Sequence, residues 1–487
     1  MNAIQSKRQL QTLVPIAFWG AVFCLLAACA TGGATRYQSF LQAVELAKIG
    51  QGDAGREAID AACDSGSAAA CDARGGRERP SSPVPILQTA TTDEATEIVV
   101  LLPGGENKTQ IFLWDTAKRR LITPLNVATF PIPDGLGTLL HLRYEGLERV
   151  PMRLQLVSPA GELLDARDLT TLETSKRQAV LAVASCMDNR HPLHNSIWEE
   201  LLSHDPDALF LIGDTVYTDV SEDPGVSERV PVTPQVLWQR YTHTRQQLSL
   251  FYAPKLVPTF AVWDDHDYGQ NDGDRRFEYK DTVRQVFQAF FGTADFPGVY
   301  DHGPGVSSRL NAFGQRFFFL DNRSFRDPAG EKEGTHFGVD QESWLFTDLF
   351  GDLPSWLISG DQFFGGYHAF ESYEGRHPGS FAKFTSRLRN TSPVIFLSGD
   401  RHLAEIMGIP QDVLGFATYE ITTSPIHSTV YSDPWKDTPN PRQIQGIAGV
   451  NNYAILETDA SEGLVVGVRV YGPDSRRLLA RRLEVRR

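Results

Sequence analysis

Apolar positions change period several times along this chain. Leu13 to Ala28 is a nearly continuous apolar stretch preceded by Lys7 and Arg8. From Arg36 to Gly75 the spacing is helical, with Phe40, Val44, Leu46 and Ala47, then Ala58 to Ala62, broken at Gly50 and Gly52. Arg74 to Pro85, rich in Gly, Arg, Ser and Pro, reads as a linker. The period then shortens. Glu97 to Leu102, Gln110 to Trp114, Leu139 to Tyr144 and Met152 to Val157 predict short strands, separated by Pro103-Gly104-Gly105, Asp134-Gly135 and Pro159-Ala160-Gly161. From Gln178 onward strands alternate with helices. Ile197/Leu201 and Trp198/Leu202 mark one amphipathic helix, Thr233-Pro234 opens another, and Lys280 to Phe291 carries Val283, Phe287 and Phe290 on one side. Asn452 to Glu457 and Gly463 to Tyr471 read as antiparallel strands. The pattern predicts an α/β protein built on a mixed sheet or on two packed sheets, preceded by a small β-sandwich.

These periods divide the chain into 1–28, an export signal; 29–93, a tether, helical hairpin and linker; 94–176, the β-sandwich; and 177–487, the larger α/β unit. The first stretch is short for a membrane span and closes on small residues, as cleaved signals do. Leu26-Ala27-Ala28-Cys29 resembles a bacterial lipoprotein cleavage box, which implies lipidation of Cys29 and attachment to a membrane through acyl chains. Net charge is −14, from 60 acids against 46 bases, which disfavours nucleic-acid binding by bulk attraction. Cys63 and Cys71 are a candidate disulfide in an oxidising compartment, and their stretch resembles the helical hairpins of Sel1-like repeats; a stapled helical spacer is expected. Cys186 has no evident partner.

The chemistry sits where apolar runs stop. Ala179 to Ser185 ends at Cys186, Ala208 to Ile212 at Gly213-Asp214-Thr215-Val216-Tyr217, Leu256 to Val262 at Trp263-Asp264-Asp265-His266-Asp267, and Val394 to Ser398 at Gly399-Asp400-Arg401-His402. Dense carboxylates repel unless a cation sits among them. Strand ends that each deliver a donor suggest one metal site on the lip of a sheet. Cys186 would bind as thiolate and Tyr217 as phenolate, the latter favouring a ferric ion. Successive strand side chains diverge, so one of Asp264 and Asp265 ligates, and Asp265 is the expected one. Asp400 and His402 complete the set. His266 is placed to protonate a leaving oxygen. Arg323, after Phe317 to Leu320, is expected to grip a phosphoryl oxygen, with Arg401 a second cation. His368 and His427 read as ordinary polar residues.

Taken together, Ser185-Cys186, Gly213-Asp214-Thr-Val-Tyr217, Trp263 to Asp267, Leu320-Asp321-Asn322-Arg323 and Gly399 to His402 resemble the alkaline phosphatase D (PhoD-like) family of calcineurin-like metallophosphoesterases, over about residues 94 to 480. The resemblance implies a four-layer α/β/β/α sandwich that hydrolyses phosphate monoesters or diesters with metal-activated water. It implies Fe3+ and Ca2+, with Cys186, Asp214 and Tyr217 around iron and Asp214 bridging. Asn271 is a further metal candidate. The expected product is an exported, lipid-anchored monomer of the cell envelope. Alternatives are a diesterase for lipid or polymer phosphates, a pyrophosphatase or nucleotidase, and a noncatalytic metal-stabilised surface lipoprotein.

Overall fold

The computed structural model describes residues 33–48, 52–76, 80–104, 109–223, 228–331, 333–432 and 434–485. The signal stretch and Cys29 lie outside the described residues. Among the described residues no helix is long and apolar enough to cross a membrane.

Two large sheets face each other. One has ten strands, in which Gln178–Ala184, Ala208–Ile212 and Thr259–Val262 run parallel side by side. The other has eight, in which Gln315–Phe319, Ser355–Ser359, Val394–Ser398 and Thr418–Thr423 run parallel. Period-two alternation sorts the second sheet's side chains into two cores. Phe317, Phe319, Trp356, Ile358, Ile395 and Leu397 pack toward the first sheet. The alternate residues Phe318, Leu357 and Phe396 pack with Phe346 and Phe384 of helices Val339–Asp348 and Pro378–Leu388. Phe210 bridges the sheets, its ring edge-on to Phe317 at 5.2 Å and to Phe319 at 5.0 Å. Helices Ser196–Leu202, Pro234–Gln247 and Lys280–Phe291 cover the first sheet through Trp198, Tyr241 and Phe287. The layers are therefore helix, sheet, sheet, helix. Each fully buried large apolar side chain contributes about 1.5–3 kcal/mol to holding them.

The sandwich strands are present, but one of their sheets is not separate from the rest. Ile86–Thr89, just past the linker and still inside the 29–93 segment, pairs in parallel with Thr259–Val262 at Thr89 and Thr259. Through it Ala95–Leu102, Gly137–Glu145 and Asn126–Ile132 extend the ten-stranded sheet. Arg120–Ile122, Gln110–Asp115, Met152–Val157 and Leu163–Leu169 form a third sheet. Ile98 and Val100 face that third sheet, whereas Val99 and Leu101 face the main core. The unalternating Ile-Val-Val-Leu-Leu run reflects a strand buried on both faces.

The helical segment is more than a spacer. Helices Gly33–Lys48 and Gly52–Asp64 lie on the outer face of the third sheet, where Phe40 meets Phe112 edge-on at 5.4 Å. Asp72 is buried and receives Arg153 at 2.8 Å and Gln155 at 2.8 Å. Cys63 and Cys71 are disulfide-bonded, tying the second helix to Ala68–Ala73. A strand whose outward positions are Phe112 and Trp114 needs such a cover.

Candidate metal centre

Because the strands run parallel, their carboxyl ends open on one side, and the expected donors follow directly. Two glycines make the convergence possible. A Cβ on Gly213 would lie 2.7 Å from the Asp264 Cβ, and one on Gly360 would lie 2.4 Å from its carboxyl carbon. Cys186, Asp214, Asp400 and His402 all hold left-handed backbone, with φ of 55°, 51°, 58° and 52°. Such a conformation costs a non-glycine residue about 1–3 kcal/mol and persists where surroundings enforce it. Its concentration at these strand ends marks a functional lip.

Donor atoms gather in three linked groups, each within 4.8 Å: Cys186, Asp214 and His402; Asp214, Asp265 and His266; Asp265, Asp272 and Glu371. Asp214 is common to the first two and Asp265 to the last two. The Cys186 thiol lies 3.5 Å from the Asp214 carboxylate and accepts from the Ser424 hydroxyl at 2.9 Å. Burial, then the Asp214 charge, pushes this thiol well up. Tyr217 is buried beside Cys186, and its hydroxyl finds no hydrogen-bond partner. Burial, then Cys186 and Asp214, pushes its phenol up as well. Burial is also the largest influence raising Asp214; the Asp265, Asp267 and Asp400 charges add to it against relief from His266. Asp400 is raised to about 7 by burial, with partial relief from Arg401. A buried thiol, a partnerless phenol and crowded carboxylates have the chemistry of a cation site, and these residues fit one.

Asp400 falls outside the three groups, though its charge acts on Cys186 and Asp214, and the groups add Asp272 and Glu371, which the sequence reading did not single out. Asp272 follows a chain reversal: its amide donates to Asp265 at 2.7 Å, and its own φ is 56°. Asn271 is not free to ligate through its side-chain oxygen, which accepts from Arg229 at 2.5 Å.

His266 sits in the second group, its ring stacked on Tyr217 with centroids 4.4 Å apart. Its Nδ1 meets the Asp219 carboxylate at 2.6 Å, leaving Nε2 for chemistry. Asp219 is buried, and Arg229 donates to its second oxygen at 2.7 Å. Burial opposes charge on His266, but Asp265, Asp214 and Asp219 outweigh it and raise the imidazole to about 10. A cavity of about 870 Å3, lined by Asp219, Arg229, Asn271, Asp272 and Arg276, lies beside this histidine.

Arg323 has a different place from the one expected. Its side chain is 0% exposed and cannot reach a substrate. Its Nε donates to Asp264 at 2.7 Å and its Nη1 to Glu371 at 2.7 Å. It ties the strand end carrying Asp264 to the loop carrying Glu371. Asp264 is thereby committed to structure. It accepts from Asn322 at 2.8 Å and caps the short helix Asp265–Tyr268 in a capping box with Asp267. His427 is likewise structural, accepting from the Trp198 indole at 3.0 Å.

A protein-family model described as PhoD-like phosphatase matches residues 181–453, which hold every donor named above. Alkaline phosphatase D of Bacillus subtilis (strain 168) is 23% identical over 381 residues, covering 65% of this chain. The chain spans 64% of that relative's length. A solved structure titled "Structure of PhoD" superposes with a TM-score of 0.60 at 17% identity, over 84% of this chain and 94% of that one; at this identity the likeness concerns the fold. The matched segment is more than half of the 487 residues, and this chain belongs to the PhoD-like phosphatase family.

Proposed function

We propose that the protein is a metal-dependent phosphoesterase that hydrolyses phosphate monoesters, diesters or both. The observation that supports it best is the chain of three donor groups sharing Asp214 and Asp265, with His266 at its middle. The thiol, phenol and imidazole of Cys186, Tyr217 and His402, with Asp214, suit Fe3+; the oxygen-only set of Asp265, Asp272 and Glu371 suits Ca2+. Cations held there would neutralise the carboxylates, polarise a phosphoryl oxygen and lower the pKa of water.

The chain's own residues do the rest. Asp219 accepts from His266 Nδ1 and fixes the ring, so that Nε2 presents a proton to the departing oxygen. Asp219, which stands outside the three donor groups, favours the charged form of that imidazole. Arg323 holds Asp264 and Glu371 in place from behind. The test is hydrolysis of nitrophenyl phosphate and its bis ester, with elemental analysis, for wild type and His266→Ala. Loss of turnover with metal retained supports the reading. Absence of turnover by metal-bound wild type would support a noncatalytic scaffold instead, and equal turnover by the two proteins would remove His266 from the reaction.

We also propose export and lipid anchoring at Cys29, supported by Lys7, Arg8 and the apolar stretch that follows, and by a disulfide that suits an oxidising compartment. Labelling with a radioactive fatty acid, lost in Cys29→Ser, tests it.

A further inference from the structure

Seven arginines are buried among the described residues, and six of them hydrogen-bond or ion-pair through the side chain. Arg401 is the exception. It is 8% exposed, its Nε is buried without a partner, and its guanidinium lies over the Phe370 ring, 4.4 Å from the centroid. It lies between Asp400 and His402 on the lip of the site. A largely buried guanidinium with no direct hydrogen bond or ion pair, facing Asp400 only at longer range, favours an anion.

Its surroundings say what kind. Phe370 is 61% exposed, although it precedes Glu371 of the third donor group. Tyr431 is 57% exposed and stacks nearly parallel on His402, with centroids 5.4 Å apart and planes 18° apart. Two large aromatic faces thus stay open to solvent beside an unpaired cation and candidate metal ligands. The loop bearing Phe370 is held firmly, by Tyr367 donating to buried Glu405 at 2.7 Å and by His368 meeting Gln362 at 2.9 Å.

We infer that Arg401 binds a phosphoryl oxygen of the substrate and that Phe370 and Tyr431 receive a flat apolar group esterified to the phosphate. The preferred substrates are then aryl-like phosphate esters over small aliphatic ones. This deepens the hydrolase reading and rests on it for the identity of the ester, while anion binding by Arg401 is measurable without turnover.

The probe for Arg401 is inorganic phosphate, titrated calorimetrically into metal-loaded wild type, Arg401→Gln and Arg401→Lys. Arg401→Gln weakens phosphate roughly 10- to 100-fold, the scale of a lost charged hydrogen bond, and Arg401→Lys recovers part of it. Metal content stays unchanged, and the melting temperature holds or rises because an unpaired buried charge has been removed. Unchanged phosphate affinity with a lowered melting temperature would make Arg401 structural and overturn the proposal. For the rings, KM is compared for nitrophenyl, ethyl and octyl phosphates. Phe370→Ala and Tyr431→Ala raise KM for the nitrophenyl ester roughly three- to tenfold and leave the ethyl ester unmoved. An equal rise for all three esters, or one confined to the octyl ester, refutes the flat-group assignment. If wild type binds phosphate but hydrolyses no ester, the hydrolase reading fails while the Arg401 result stands on its own.

Discussion

Replacing Arg323 by methionine separates support from substrate binding. The wild-type guanidinium is wholly buried between Asp264, 1% exposed, and Glu371, 7% exposed. Its removal strands two carboxylates. Glu371 keeps Arg326 at 2.6 Å and Asp264 keeps Asn322 at 2.8 Å, so neither is bare, but neither remains balanced. Breaking a buried pair in this way costs about 3–5 kcal/mol. At about 2–4 °C per kcal/mol for a large domain, the melting temperature falls by about 6–20 °C. The deficit depends on pH. Burial already raises both carboxyls, and loss of the guanidinium raises them further. A carboxyl whose folded pKa exceeds its unfolded value loses stability as pH rises between the two. The deficit is therefore smaller at pH 5 than at pH 8. Thermal unfolding at both values, followed by circular dichroism beside nitrophenyl phosphate kinetics, measures this. A variant that melts within about 2 °C of wild type but shows a much higher KM would mean that Arg323 contacts substrate, contrary to the packing argument.

Asp219→Asn replaces the charged acceptor that fixes His266 by a neutral amide and removes one of the charges that raises its pKa; kcat falls about 100-fold, and the alkaline limb of the pH–rate profile moves to lower pH. If the third group holds the calcium proposed for it, Asp272→Asn and Glu371→Gln, which each remove an oxygen donor's charge, lower calcium content, read by elemental analysis, while iron is retained. If Tyr217 binds a ferric ion, the purified protein is coloured, and Tyr217→Phe loses the visible band while its fold is kept. Phe40→Ala opens a cavity between the helical cover and the third sheet, costing about 3–5 kcal/mol, seen as earlier protease cleavage within residues 33–76.

How far the site could be read depended on where each residue lies. Asp214, Asp265 and His402 were legible because a strand is an apolar run of predictable length, and its carboxyl end is a fixed address. Cys186 was legible as an odd thiol at another such end. Asp272, Glu371 and Asp219 lie in loops, where no period ties position to direction, so only the folded chain brings them in. Asp219 carried one faint signal, a lone acid five residues beyond Asp214. Arg323 also follows a strand, but its address did not reveal which way its long side chain turns. There, burial against Asp264 decided.

The sequence by itself determined much of the local order: where the main apolar runs form strands and helices, and which residues stand at the ends of those strands, while a single mixed sheet and two packed sheets both remained open. Periodicity encodes this because burial on one face or two is imposed residue by residue. Only the tertiary structure decided that the sandwich strands extend the ten-stranded sheet through Thr89 and Thr259, that the helical hairpin covers Phe112 and Trp114, and that Arg401 rather than Arg323 is left without an ion-pair or hydrogen-bond partner on its Nε. These are pairings between distant segments, fixed by the shared burial of both partners, and neither segment alone carries the other's address.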